Sequence, residues 1–154
     1  GYWDDPGATA EVFSAGWMRT GDLARTDAEG FLTIVDRIKD MLIRGGENIY
    51  CCEVENVLYA HPDVIDAVVL AVPHPTLGEE PGAIVALAEG ARTGPEEIRA
   101  FAAERLAAFK VPVRVVVWDG LLPRNPAGKI LRAPLRAAFA VGSAQNGSPS
   151  SSGR

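Results

Sequence analysis

One lysine, Lys129, stands in a setting that suits a mobile catalytic cation. It closes the run 125–129 (NPAGK), in which proline and glycine favour a loop that presents a single flexible ammonium group. The run is not a phosphate-binding loop of the G-x-x-x-x-G-K-[ST] type, because Pro123 occupies the place of the first glycine and Ile130 follows the lysine. From the residues alone, Lys129 is either a solvated loop lysine or a cation delivered to a substrate anion.

A carboxylate and a guanidinium form a second candidate pair. Asp22 ends the triplet Thr20-Gly21-Asp22, and a carboxylate at a glycine turn can accept two O–H donors at once. Arg37 offers several N–H donors to a hydroxyl or a phosphate. Both residues also have structural interpretations: Asp22 as an Asx-turn that caps its own loop, and Arg37 as a salt-bridge partner of Asp36 or Asp40.

The stretch 36–55 (DRIKDMLIRGGENIYCCEVE) joins a polar, turn-rich segment to a compact α/β pattern. It begins with charged residues, passes through an apolar triplet and reaches Gly45-Gly46, where the backbone can take a positive φ or let a ligand come close. A charged crossing followed by a glycine turn suits a movable junction between two rigid bodies. A surface hairpin without motion is the alternative.

The composition favours a globular protein that acts on small molecules. The chain has 154 residues, of which 47% are hydrophobic and 23% charged, with a net charge of −5. It has no basic run or face with which to bind nucleic acid phosphates. No apolar run is long enough to cross a bilayer, and the first ten residues, GYWDDPGATA, do not resemble a signal peptide. The cytoplasm is therefore the expected location.

The cysteines and histidines predict neither a metal site nor a disulfide. Cys51 and Cys52 are adjacent, which rarely allows them to pair and gives no C-x-x-C ligand spacing. They are expected to fill space where a strand meets a helix. His61 and His74 each stand beside proline in a turn, so we expect surface or capping roles for them.

Hydrophobic periodicity predicts an α+β (mixed α/β) fold in which helices cover a small mixed sheet. Residues 1–26 lack sustained periodicity, and their isolated aromatics suggest packing against polypeptide outside this chain. After a turn at 27–30 the pattern alternates strands and helices. The predicted strands are 31–35, 41–43, 48–50, 64–72, 83–88 and 113–118, and the predicted helices are 53–60, 95–109 and 134–139.

Three stretches taken together resemble a known family. They are GWMRTGDLA (16–24), the 36–55 stretch and LPRNPAGKILR (122–132), and they occur in this order. The chain resembles the adenylate-forming superfamily of acyl-CoA synthetases, luciferases and peptide-synthetase adenylation domains. The resemblance extends from Gly1 to about Phe139 and concerns only the C-terminal part of such an enzyme, so the chain is expected to be a fragment. One departure is Cys51, where family members often have proline.

The resemblance implies a role for each candidate residue. The lysine at the place of Lys129 enters the active site for the first half-reaction, in which a carboxylate attacks the α-phosphate of ATP. The aspartate matching Asp22 accepts the ribose hydroxyls of ATP with Arg37 as its partner, and Trp17 and Thr20 form walls of the same pocket. Lys39 stands where the family places its hinge.

The resemblance also implies cofactors and partners. Gly45 and Gly46 would line the channel for the pantetheine arm of coenzyme A, because glycine permits close approach. Mg²⁺ would arrive with the ATP phosphates and be held by residues outside this chain. The partners implied are a carboxylic acid, ATP, coenzyme A and the large N-terminal domain of the same protein. The walls of the acyl pocket lie in that domain, so the chain does not name the acid.

The resulting hypothesis is the C-terminal portion of an AMP-forming acyl-CoA ligase for fatty or other carboxylic acids. Residues 1–38 would end the large N-terminal domain, 39–140 would form a mobile C-terminal domain, and 141–154 would be a disordered Gly/Ser-rich tail. Two alternatives stay open: an adenylation domain that loads a carrier protein, and a non-catalytic α/β binding module. The fragment alone is expected to be inactive, because it has no phosphate loop and no acyl pocket.

Overall fold

The chain folds as two units that divide after Met41. A computed structural model describes residues 1–144. Unit 1 comprises Gly1–Met41, and unit 2 begins at Leu42. The expected tail falls mainly outside the described residues, which end at Ala144. Within residues 1–144, no helix has the length and apolar character needed to cross a membrane.

Unit 1 consists of a short helix and two strand pairs. Helix α1 (Pro6–Val12) begins at a good capping signal, since Asp5 Oδ1 accepts a hydrogen bond of 2.8 Å from the Ala8 N–H and Pro6 occupies the first turn. Strands β1 (Phe13–Ser14) and β2 (Trp17–Met18) pair with each other. The hairpin of β3 (Asp22–Thr26) and β4 (Leu32–Arg37) turns at 27–30, as predicted.

The aromatic side chains of unit 1 are exposed. Trp3 and Trp17 are 98% and 80% exposed, and Phe31 is 71% exposed. Groups of exposed large apolar side chains usually mark an interaction surface. This exposure fits the expectation that residues 1–26 do not bury their aromatics among themselves.

Unit 2 is built on a sheet in the order β6-β5-β8-β7, with β9 alongside β8. The strands are β5 (Met41–Arg44), β6 (Glu47–Tyr50), β7 (Val64–His74), β8 (Gly78–Leu87) and β9 (Val115–Trp118). Strand β8 is antiparallel to β7 and parallel to β9. The helices are α2 (Cys51–Tyr59), α3 (Pro95–Ala103) and α4 (Arg132–Ala144). The mixed α/β class is therefore confirmed.

The long apolar runs of β7 and β8 are explained by cores on both faces of the sheet. Because successive strand residues point to opposite faces, Val69 and Val85 join the core under α2 and α3, whereas their neighbours Val68 and Ile84 join the core under α4. All four residues are at most 1% exposed to solvent. A strand covered on both sides has no polar face, which is why its sequence does not alternate.

The largest differences from the predicted boundaries are in β8, α3 and α4. Strand β8 begins at Gly78 rather than Ala83, because its pairing with β7 continues through two glutamates to His74↔Gly78. Helix α3 ends at Ala103 rather than continuing to Phe109, which still packs against the core from a 3₁₀ turn, Ala108–Lys110. Helix α4 reaches Ala144, beyond the expected start of the tail at residue 141.

Replacing Gly82 by alanine is expected to destabilise unit 2, because a Cβ there would overlap the Phe139 ring of α4 and lie 2.7 Å from Val72 Cγ2. We expect the free energy of unfolding to fall by about 1–3 kcal/mol, measured by urea denaturation of the 154-residue chain. Gly7→Ala in α1 is the control, since its nearest neighbouring atom is 3.5 Å away. Equal stabilities of the two variants would contradict this packing of α4 on the sheet.

Candidate functional site

The candidate carboxylate and guanidinium of unit 1 lie opposite each other. Asp22 begins β3 and Arg37 ends β4, and the strand register pairs the two residues directly. Arg37 Nε lies 3.1 Å from Asp22 Oδ1. The Asp22 N–H donates to Thr20 Oγ1 at 3.1 Å. The Asp22 carboxylate therefore contacts Arg37 across the hairpin rather than capping its own loop as an Asx-turn.

This pair is accessible enough to bind a ligand. The Asp22 side chain is 23% exposed and that of Arg37 is 56% exposed. An ion pair at such a surface contributes little to stability, typically about 0–1 kcal/mol. Asp22 also keeps a second carboxylate oxygen, and Arg37 keeps terminal nitrogens beyond the Nε that contacts Asp22. The pair can therefore bind hydroxyl or phosphate groups while it remains formed.

A cleft of about 490 Å³ in unit 1 brings several predicted residues together. Thr20, Gly21, Arg37 and Lys39 line it. Arg19 also lines it and was not a sequence candidate, although it adjoins Thr20 in the motif. The charged lining residues are three cations (Arg19, Arg37, Lys39) and two acids (Glu11, Asp40), and Arg37 is paired with Asp22. Neither Trp17, expected as a wall, nor Asp22 is among the lining residues, although Asp22 contacts the lining residue Arg37.

Lys39 lies in a 3₁₀ turn, Ile38–Asp40, between β4 and β5. Its side chain is exposed, and it stands two residues before the end of unit 1 at Met41. The hinge role predicted for it requires a polar side chain that no core retains. The position and exposure of Lys39 are compatible with that requirement.

Gly45 and Gly46 form the turn between β5 and β6. Their φ angles are +57° and +90°, values that L side chains rarely adopt. The Gly45 N–H donates to the Leu77 carbonyl at 2.8 Å, and a Cβ on Gly46 would meet nothing within 4 Å. Glycine is thus required here by the turn itself, as the structural interpretation predicted. The open side of Gly46 also leaves room for a ligand to approach the backbone.

Lys129 lies on a short hairpin with strong internal constraints. The Asn125 N–H donates to the Lys129 carbonyl at 2.8 Å, and Asn125 Oδ1 accepts from the Lys129 N–H at 2.9 Å. Gly128 closes the turn at φ +80°. The backbone of Lys129 is therefore fixed while its side chain is exposed. Among the described residues, its ammonium group has no hydrogen-bond or ion-pair partner.

Sequence reasoning missed two polar residues that support this hairpin. Asp66 in β7 is only 4% exposed, and Arg124 Nη2 donates to its Oδ2 at 2.5 Å. The signal was available for Asp66, because a carboxylate inside the apolar run 64–72 must find a buried partner. Nothing in the sequence indicated that the partner would be Arg124, since 58 residues separate the two.

Comparison with known proteins supplies the observation that decides the family. Residues 53–129, half of the chain, match the family described as the AMP-binding enzyme C-terminal domain. The chain belongs to this family. The match ends at Lys129 and covers most of unit 2, including α2 from Glu53 onward, α3 and strands β7, β8 and β9. The resemblance to adenylate-forming enzymes is thereby confirmed.

Individual relatives of this AMP-binding enzyme C-terminal domain include a CoA synthase and a protein solved with ATP bound. The chain is 48% identical over 139 residues to a feruloyl-CoA synthase of Amycolatopsis sp, which covers 90% of this chain and 28% of the relative. It also resembles the crystal structure of ATP-bound MatB from Rhodopseudomonas palustris, with a TM-score of 0.81, 36% identity and coverage of 90% and 28%.

A second solved relative carries a reaction intermediate. The o-succinylbenzoate CoA synthetase of Bacillus subtilis was solved with the acyl-adenylate OSB-AMP, and it matches with a TM-score of 0.79, 41% identity and coverage of 88% and 27%. The chain thus spans somewhat more than a quarter of the length of the relatives it matches.

Residues 1–144 contain no group of three or more His, Cys, Asp or Glu side chains placed to hold a metal ion.

Proposed function

We propose that this chain is the C-terminal part of an ATP-dependent, AMP-forming acyl-CoA ligase. The first half-reaction joins a carboxylate to the α-phosphate of ATP, giving acyl-AMP and pyrophosphate. In the second, the thiol of coenzyme A attacks the acyl carbon, giving the thioester and AMP. The observation that carries the proposal is the ammonium of Lys129, which follows the turn of a short hydrogen-bonded hairpin and has no partner among the described residues, in a domain of this family.

The chemistry of the first half-reaction explains why one lysine is useful. Two anions must meet when a carboxylate approaches the α-phosphate, and negative charge redistributes between them in the transition state. A cation already fixed near that point stabilises the charge without reorganising solvent. The long side chain of Lys129, anchored only through its backbone, can reach into a site formed by another part of the protein.

The nucleotide is assigned to the unit 1 cleft. Asp22 would accept hydrogen bonds from the ribose hydroxyls, while Arg37 would keep Asp22 oriented and donate to ribose or phosphate. Thr20 and Arg19 would complete the wall. Mg²⁺ would be bound by the ATP phosphates together with residues outside this chain.

The second half-reaction is assigned to a different arrangement of the same domain. Lys39 would be the pivot, because an exposed polar residue in a short turn can change its backbone angles without leaving a core. Gly46 would face the pantetheine arm of coenzyme A from the open side of its turn, with Gly45 holding that turn in place. Residues 39–140 would then move as the domain and 1–38 would remain with the large N-terminal domain.

The acceptor separates this proposal from its alternatives. A carrier-protein ligase would make the same adenylate but transfer the acyl group to a protein-bound pantetheine, and a binding module would make no adenylate. The long protein that contains this chain should release pyrophosphate only when a carboxylic acid is present. It should then form an acyl thioester with free coenzyme A. We also propose that it acts in the cytoplasm.

The test is an acid panel assayed with ATP, Mg²⁺ and coenzyme A, using that full-length protein. Aryl-propenoic and aryl-dicarboxylic acids come first, given the names of the relatives, followed by fatty acids. Acid-dependent pyrophosphate release with acyl-CoA as product supports the proposal. Adenylate formation that stalls with coenzyme A but proceeds with a carrier protein would favour the alternative acceptor. Residues 1–154 alone should form no acyl-CoA, and measurable product from them would contradict the assignment.

A further inference from the structure

Among the residues that the structure describes, Asp66 is the one charged residue that is buried. It lies in β7 at 4% exposure, and both of its carboxylate oxygens are engaged. Oδ1 accepts from the Tyr59 hydroxyl at 2.6 Å and from the Ala67 N–H at 3.1 Å. Oδ2 accepts from Arg124 Nη2 at 2.5 Å. A carboxylate taken out of water is tolerated only with such a full set of donors.

Arg124 connects this buried carboxylate to the lysine hairpin. While Nη2 contacts Asp66, Nη1 of the same guanidinium donates to the Gly128 carbonyl at 2.8 Å. Gly128 is the residue immediately before Lys129. The planar guanidinium holds its two contacts at a fixed angle, so the position of the Gly128 peptide is set by a group in the body of the domain.

The surroundings of Arg124 and Tyr59 keep both side chains protonated, the form in which each donates a hydrogen bond to Asp66. The hydrogen bond to Asp66 raises the pKa of Arg124 above its usual value. Burial, followed by the hydrogen bond to Asp66, raises the pKa of Tyr59. Tyr59 therefore keeps its proton and remains a donor to Asp66 at neutral pH.

A second clamp holds the other end of the hairpin. Arg132, at the start of α4, donates from Nη1 to the Val69 carbonyl at 3.3 Å, and its Nη2 lies 3.7 Å from Glu55 Oε1. Glu55 Oε1 also accepts from the Val69 N–H at 2.9 Å. Both clamps attach the hairpin to α2 and β7, so the segment between Arg124 and Arg132 has little freedom to rotate as a whole.

We propose that Arg124, anchored by Asp66, is a positioning residue that fixes the Gly128 peptide and so the direction in which Lys129 leaves the domain. The inference rests on the proposed function, because it assigns Arg124 a task only if Lys129 serves adenylation. The Arg124 side chain is 44% exposed and that of Asp66 only 6%, so the pair also satisfies a buried carboxylate. The contact that this stabilising role does not require is the second one, from Nη1 to the Gly128 carbonyl beside Lys129.

Arg124→Lys in the full-length enzyme is the most informative variant. Lysine keeps the charge near Asp66, but a single ammonium does not reproduce the fork that also contacts Gly128. We expect the turnover rate of ATP–pyrophosphate exchange to fall about ten- to a hundredfold, because a small misplacement of a reacting group can lower the rate by that much. Thioester formation from pre-formed acyl-adenylate should stay within about twofold, since Lys129 is not needed for it. Asp66→Asn should act in the same direction.

Arg105→Lys is the matched control. Arg105 also bridges a carbonyl and a carboxylate, with Nη1 at 2.9 Å from Phe101 O and from Glu104 Oε2, and its side chain is 42% exposed. It lies just after α3, and its variant should keep both half-reactions. Arg124→Lys in a Lys129→Ala background should add no further loss of exchange, because a positioning residue has nothing left to position.

The outcomes separate this inference from the proposed function. Exchange that is lost in Lys129→Ala but intact in Arg124→Lys would overturn the positioning role alone. An equal loss of both half-reactions in Arg124→Lys, or a further loss in the Lys129→Ala background, would show that Arg124 acts through the fold and would also overturn it. Unchanged exchange in Lys129→Ala would overturn both.

Discussion

Replacing Lys129 by alanine in the full-length protein is expected to lower the turnover rate of ATP–pyrophosphate exchange by about 10²–10³-fold, the usual cost of removing one preorganised group that stabilises transition-state charge. The structure favours a large effect. The Lys129 ammonium has no hydrogen-bond or ion-pair partner within the part of the chain that the structure describes. Replacing Lys129 therefore breaks no side-chain hydrogen bond or ion pair within the described residues. A lower exchange rate would then reflect the reaction chemistry rather than the stability of the fold.

Lys110→Ala provides the matched control for this prediction. Lys110 donates to both carboxylate oxygens of Glu53, at 2.6 and 2.7 Å, and its side chain is 20% exposed. Its loss is expected to cost about 0–1 kcal/mol of stability and to leave exchange within a few-fold. Equal rates for the two lysine variants would remove Lys129 from the mechanism and leave it a solvated loop residue.

Asp22→Ala is expected to lower kcat/KM for ATP by about 10²–10⁴-fold. Hydrogen bonds to a charged group contribute about 1.5–3 kcal/mol each, and we assign two ribose hydroxyls to this carboxylate. Asp22→Asn should lose less, because an amide oxygen can still accept. The strand register that places Asp22 opposite Arg37 is held by the backbone pairing of β3 and β4, so the substitution should leave it intact.

An ATP analogue that lacks both ribose hydroxyls makes this prediction specific. With that analogue the difference between the wild-type protein and Asp22→Ala should disappear, because the carboxylate has no hydroxyl to accept from. Glu29→Ala, in the exposed turn between the same two strands, should behave like the wild type with both nucleotides. An undiminished penalty with the analogue would mean that Asp22 serves only to hold Arg37.

The parts of the fold that were predictable are those set by local pattern. The apolar run of β7 and the i, i+3, i+4 stripe of α2 identify their elements because burial requires those periods. Tertiary contacts decide where an element ends. Glu79 and Glu80 read as loop residues, yet they stay in β8 because Glu80 Oε1 pairs with Arg44 at 3.0 Å and Glu79 Oε2 accepts from the Ile43 N–H.

Unit 1 was harder to predict. Helix α1 carries a recognisable start in Asp5 and Pro6, but its seven residues bury none of their side chains, so no apolar stripe identifies it. The extension of α4 to Ala144 has the opposite cause. Val141 and Gly142 carry no helical signal and were assigned to the Gly/Ser-rich tail, whereas the helix continues through them.

The candidate site divides along the same line. Pro126 and Gly128 predict the loop that carries Lys129, and Gly128 has the positive φ that its turn requires. The side-chain acceptor that closes the turn, Asn125 Oδ1, was not predicted. The contact between Asp22 and Arg37 depends on strand register, and the contact between Asp66 and Arg124 depends on the packing of distant segments. Neither contact follows from local sequence pattern. The position of Asp66 within an apolar run does indicate that its carboxylate must have a buried partner.

The most direct test of the account is the rate of thioester formation by the full-length Lys129→Ala variant when it is supplied with pre-formed acyl-adenylate and coenzyme A. The same preparation should be shown to have lost ATP–pyrophosphate exchange. We predict a thioester rate within about twofold of the wild type, because we assign the second half-reaction to another face of the domain. A thioester rate that falls as far as the exchange rate would contradict the claim that Lys129 serves adenylation alone.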